Sequence, residues 1–89
     1  MNNAASMRQW IIDNTDQVAA SWARILIDKC AQQARHLQTD IQLDKRIFFK
    51  SSADVQIGEI GIKAVFEILQ KRGFTIDYEP QRSWFTVSW

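Results

Sequence analysis

The sequence predicts an α+β fold: an N-terminal helix or helix pair, a short strand, an amphipathic helix, and a C-terminal β-hairpin in a small two- or three-stranded antiparallel sheet. Three observations carry this. Apolar residues in the first two-fifths of the chain recur at helical spacing, a second segment alternates charge every four residues, and the last seventeen residues alternate apolar and polar at period two. The chain has 89 residues, 46% of them hydrophobic and one of them proline. That composition belongs to a single small globular domain, residues 1–89, rather than to a disordered segment.

In the first segment Val18, Trp22, Ile25 and Leu26 fall on one helical face, with Ser21, Arg24, Asp28 and Arg35 on the other. Thr15 is suited to an N-cap and Asp16 to the first turn, where the helix dipole favours negative charge. Met7 and Ile11 are in phase with Val18 and Ile25, so the helix either runs unbroken from about Ala4 or bends at Asn14-Thr15. The cap signal favours a short first helix followed by a longer one. Trp10 points off the shared stripe and is expected to pack against something else. The helical pattern ends after Leu37; the stretch QTDIQLDKRIFFK holds β-branched and aromatic residues but no helical stripe, and within it residues 46–50 read as a short strand.

The next helix is marked by Glu59, Lys63, Glu67 and Lys71, which draw one solvated stripe whose Glu-before-Lys pairs contribute ~0.2–0.5 kcal/mol each. Gly58, Gly61, Ile62, Val65, Ile68 and Leu69 lie opposite. Ser51 or Ser52 is expected to cap it, Ser51 and Asp54 resembling a capping box. The two glycines cost ~1 kcal/mol apiece relative to alanine, which makes sense if another backbone comes close there. Gly73 occupies the usual C′ position.

The closing stretch GFTIDYEPQRSWFTVSW reads as a hairpin. A four-residue loop, Glu79-Pro80-Gln81-Arg82, puts proline at i+1 of a type I turn and pairs Tyr78 with Ser83 and Ile76 with Phe85. Phe74, Ile76, Tyr78, Phe85, Val87 and Trp89 then face the helices, with Trp89 closing the core. A one-residue slip would turn Phe85 and Val87 to water. Trp84 alone is left on the outer face.

Eleven Lys and Arg balance ten Asp and Glu for a formal charge of +1, which argues against a dedicated nucleic-acid binder. The single cysteine, Cys30, excludes an internal disulfide framework and fits a reducing compartment. With neither a membrane-length apolar run nor a signal pattern, the expected location is cytoplasmic. Cys30 and His36, six residues apart on one helix, lie ~120° apart around its axis and out of hydrogen-bond reach. No metal-ligand spacing, phosphate-cradling loop or dinucleotide fingerprint is present. The expectation is a non-enzyme with no cofactor and no membrane association.

Three large apolar groups sit where a two-layer fold has no use for them: Trp10 off its stripe, Ile60 among charges, and Trp84 outside the sheet. Tryptophan is enriched at interface hot spots, so these three are the candidate protein contacts. The partner is a second copy of the chain in a homo-oligomer, or another protein. The alternative is a nucleic-acid-binding face, with Lys45, Arg46 and Lys50 interleaved with Phe48 so that cations hold phosphate while aromatics stack bases. A third arrangement has the N-terminal helix covering the outer sheet face and burying Trp84.

The last third, FEILQKRGFTIDYEPQRSWFTVSW, resembles small accessory proteins of tailed bacteriophages, in which an amphipathic helix ends at Gly-aromatic (here Gly73-Phe74), a short hairpin follows and the chain finishes near Ser-Trp (Ser88-Trp89). The resemblance implies a gene product acting inside an infected bacterium, one that binds and modulates or inhibits a host protein, or serves as a small virion component. It carries no functional residues across.

Overall fold

A computed structural model describes residues 3–50 and 56–89. Its elements run α1 (Ala4–Ala34), β1 (Asp40–Asp44), α2 (Lys45–Phe48), α3 (Glu59–Lys71), β2 (Thr75–Tyr78) and β3 (Trp84–Ser88). The fold is α+β, with an antiparallel sheet of order β1-β3-β2. The core lies between the inner sheet face and the two long helices.

Helix α1 is one uninterrupted element of 31 residues. It is capped by Asn3, whose Oδ1 accepts from the Ser6 amide at 2.8 Å, and not by Thr15. The bend expected at Asn14-Thr15 is absent because both side chains turn back along the helix. Asn14 Nδ2 donates to the Trp10 carbonyl at 2.8 Å and Thr15 Oγ1 donates to that of Ile11. In that arrangement they satisfy themselves without interrupting the backbone ladder.

The buried face of α1 is Ala19, Ala23, Leu26 and Cys30, rotated from the predicted stripe so that Ile25 is exposed and Val18 and Trp22 lie at the border. Helix α3 makes its main contact here, and the closest approach of two helices favours the smallest side chains. The helix closes in a Schellman motif. The Gln38 amide donates to the Gln33 carbonyl and the Leu37 amide to that of Ala34, with Leu37 in the left-handed region at φ 62°.

The third strand is residues 40–44, not 46–50. Asp40-Ile41-Gln42-Leu43-Asp44 alternates cleanly, with Ile41 and Leu43 packed on the core. Asp44 then stops the strand, its side chain accepting from the Arg46 amide at 2.9 Å and capping a single helical turn. That turn swings Phe48 and Phe49 inward. Fully buried Phe49 meets the rings of Trp22, Phe48, Phe66 and Phe85 at centroid distances of 4.8–6.1 Å.

Helix α3 begins at Glu59 with Gly58 at the cap; the expected caps Ser51 and Ser52 and the pair Ser51/Asp54 lie outside the described residues. Its buried residues are Ile62, Val65, Phe66 and Leu69, and the Glu59/Lys63/Glu67/Lys71 stripe is exposed. The glycines do not admit a second backbone. A Cβ at Gly58 would meet nothing within 4 Å, and one at Gly61 would meet only the Ile57 side chain, at 3.3 Å. Gly73, at φ +93°, closes α3 in a second Schellman motif.

The hairpin turns where proline placed it, the Arg82 amide donating to the Glu79 carbonyl at 3.0 Å. Its register is shifted by two residues: Tyr78 pairs with Phe85 and Ile76 with Val87. Ser83 and Trp84 are taken up by the other neighbour of this central strand, since the Ser83 carbonyl accepts from the Lys45 amide at 2.6 Å and Trp84 pairs with Asp44. A two-residue shift preserves the faces, so Ile76, Tyr78, Phe85 and Val87 still point to the helices. Trp89 does not close the core. It remains exposed at the rim of a shallow apolar groove of about 200 Å³ with Ile27, Cys30 and Phe74.

Candidate functional site

The length of α1 creates the site. Thirty-one residues at 1.5 Å each span ~46 Å, close to the 49 Å long axis of the molecule, whose other dimensions are 23 Å. The buried residues of α1 begin only at Ala19. The preceding four turns therefore project as an arm, joined to the body on one side by the segment that leads into α3. Where arm and segment meet there is an apolar groove of about 320 Å³. Trp10, Ile11 and Val18 form one wall and Ile57 and Ile60 the other, with Glu59 the one charged liner among the described residues. Trp10 is 46% exposed and Ile60 64%. Two of the three predicted contact residues, fifty positions apart in sequence, thus line one groove.

Beside it, Lys45 is 8% exposed and ties three elements together. Its Nζ donates to the Pro80 carbonyl and to the Tyr78 hydroxyl (3.3 Å) and lies 3.4 Å from Glu59 Oε1. The Tyr78 hydroxyl donates to the same carboxylate, whose oxygens are 2.6 and 2.9 Å away. Burial, together with the hydrogen bond and the charge of Glu59, pushes the Tyr78 phenol well above the usual tyrosine range. It is held as a neutral donor rather than poised as a base. Ammonium, phenol and carboxylate satisfy one another, and the cluster fixes the start of α3, and so Ile60, against the sheet.

Trp84 is elsewhere. Pairing with Asp44 on the outer sheet face, it is half-buried because the Arg82 guanidinium lies 3.9 Å from its ring centroid. Arg82 is itself held by Asp77 at 2.9 Å. Both helices pack on the inner face, so α1 does not cover this tryptophan as the third arrangement required.

The basic-aromatic set is dispersed. Lys45 is enclosed in the cluster above, and Phe48 packs against Trp22, Phe49 and Phe85 at 4.8–6.2 Å. Arg46 and Lys50 are exposed, Arg46 lying 3.8 Å from Asp44. The single helical turn that replaces the expected strand removes the flat platform that base stacking needs. Cys30 is buried, its thiol pushed up by that burial, whereas His36 is exposed beyond the end of α1.

Sequence reasoning missed Ile57. Ile57 precedes the cap glycine, at the N′ position of a hydrophobic staple whose N4 partner is Ile62. Among the described residues no three His, Cys, Asp or Glu side chains gather as metal ligands, and no helix is long and apolar enough to cross a membrane. No protein-family model, curated protein or solved structure matches the chain.

Proposed function

We propose that this chain is a non-enzymatic protein-binding module that self-associates, and that its contact surface is the groove between the α1 arm and the start of α3. The observation that carries the reading is the convergence of Trp10 and Ile60. Both are large, apolar and substantially exposed, and they sit on opposite walls of one concavity whose second wall is pinned by the Lys45 cluster. A rigid groove with an indole at its rim has the features of an interface hot spot, where a few desolvated aromatic anchors dominate binding. The likeness of the C-terminal helix and hairpin to phage accessory proteins adds a host bacterial protein as the non-self partner, met in the host cytoplasm.

Sedimentation over a wide concentration range tests this. The expected result is a mass that rises with concentration, and a Trp10→Ala/Ile60→Ala double variant that stays folded and associates more weakly. A double variant that associates as tightly as the parent refutes the groove as the contact surface. The nucleic-acid alternative predicts a retarded oligonucleotide whose affinity falls steeply with salt, and the burial of Lys45 and the packing of partly buried Phe48 against the core count against it.

A further inference from the structure

The core stripe of α1 does not end where the core ends. Ile12, Ala19 and Leu26 are spaced by seven, which keeps them on one helical face to within ~40°. Ala19 and Leu26 are fully buried, yet Ile12 is 70% exposed. The face that α3 and the sheet cover further along thus continues onto the arm with nothing under it among the described residues. On this face Arg8 precedes Ile12 by four residues and Asp16 follows it by four. At 100° per residue the two lie ~40° to either side of Ile12 and ~6 Å above and below it. Both are exposed, and among the described residues neither takes part in an ion pair within the chain.

Positive, apolar, negative at equal spacing is a self-complementary pattern. Two such helices laid antiparallel about Ile12 set Arg8 of each level with Asp16 of the other, twice over. Laid parallel, they set like charge against like. We propose that two copies of this chain pair through their α1 arms, antiparallel, with Ile12 of both copies at the two-fold axis and reciprocal Arg8–Asp16 ion pairs flanking it. This rests on the self-association part of the reading above and adds to it a second contact face on the arm, separate from the Trp10/Ile60 groove: insensitivity to the charge substitutions at Arg8 and Asp16 refutes the arm face, and insensitivity to Trp10→Ala/Ile60→Ala refutes the groove.

The area sets the strength. Half the surface of a helix of fifteen residues, ~22 Å long and 10–12 Å across, is roughly 350–400 Å² per copy. That lies below the ~800 Å² per partner of a standard stable interface, so the pair is weak and reversible, with a Kd in the micromolar range or above.

The experiment uses the full chain with single substitutions. Ile12→Cys should give a disulfide-linked dimer under mild oxidation, because residue 12 meets itself at the axis. Gln17→Cys, exposed on another face of the helix, should not. The wild-type chain supplies no background, since its one cysteine is buried. In sedimentation, Arg8→Asp and Asp16→Arg should each weaken dimerisation about tenfold, as two pairs turn repulsive, and the double exchange should restore it to within about threefold of the parent. A wild-type chain that stays monomeric at every concentration overturns both this pairing and the self-association it rests on. A wild-type dimer that ignores the charge substitutions and leaves Ile12→Cys unlinked overturns the arm pairing alone.

Discussion

Replacing Lys45 decides whether this residue is a surface cation or a structural pin. Its side chain is 10% exposed and makes a charge-assisted bond to the Pro80 carbonyl, a bond to the Tyr78 hydroxyl, and a 3.4 Å ion pair with a Glu59 side chain that is 47% exposed. The ion pair is screened and contributes at most ~1 kcal/mol. The two hydrogen bonds contribute ~1–3 kcal/mol between them, offset in part by the cost of desolvating the ammonium. Lys45→Met keeps a side chain of similar length and buried bulk, and should cost ~1–2 kcal/mol. Lys45→Ala also loses the packing of three methylenes at ~0.8 kcal/mol each, and should cost ~3.5–4.5 kcal/mol in all. For a chain of this length the whole stability is ~4–13 kcal/mol, so the alanine variant should lower Tm by roughly 14–36 °C. Exposed Lys50→Ala, the control, should stay within ~0.5 kcal/mol. Urea titration followed by tryptophan fluorescence reads all three. If Lys45→Ala matches Lys50→Ala, the cluster is not a pin and Lys45 is available to a ligand.

Three further outcomes follow from local geometry. Leu37 holds a left-handed conformation that costs a non-glycine residue ~1–2 kcal/mol, and it is almost fully exposed; Leu37→Gly should therefore raise stability by about 1 kcal/mol in the same titration, and a loss would mean that the side chain packs. Cys30 is buried and its thiol raised, so a thiol reagent should label it slowly in the native protein and fast in denaturant, with fast native labelling the contrary result. The Tyr78 phenol is raised in the folded state, first by burial and then by Glu59; the folded chain keeps its proton longer than the unfolded one. The stability this brings is fully present below the unfolded tyrosine pKa of ~10 and is lost as pH climbs beyond it, a decline that Tyr78→Phe should flatten.

What the sequence made legible was periodicity. The Glu59/Lys63/Glu67/Lys71 stripe and the inward Ile76, Tyr78, Phe85 and Val87 are one-dimensional patterns, and the structure keeps both. Facing survived even a register error, because a two-residue shift leaves every side chain on its side of the sheet. What failed was competition between local signals. Thr15 and Asp16 look like a helix start, but a side chain can bond its own helix as readily as cap a new one. Phe48-Phe49 looks like strand, but Asp44 ends the real strand first and the aromatics enter the core from a helical turn. The groove was half legible: Trp10 and Ile60 were each out of place, yet only the fold could set them on facing walls. Lys45 was misread because charge is a property of composition, whereas its burial depends on Glu59, Tyr78 and Pro80, residues far away in sequence.

The two out-of-place tryptophans make opposite predictions. Trp84 already has a partner within the chain: Arg82 lies over its ring and Asp77 holds Arg82. A cation over an aromatic face contributes ~0.5–2 kcal/mol depending on desolvation, so Trp84→Ala should cost about 1 kcal/mol in urea titration and leave association unchanged. Trp10 borders the groove on a part of α1 that precedes every buried residue of the helix. Trp10→Ala should leave stability within ~0.5 kcal/mol of the parent and weaken partner binding, with hot-spot truncations costing ≥ ~2 kcal/mol of binding free energy. The crossed result, in which Trp84→Ala impairs association and Trp10→Ala impairs folding, would move the docking surface to the outer sheet face and require Arg82 to swing off the indole when a partner arrives.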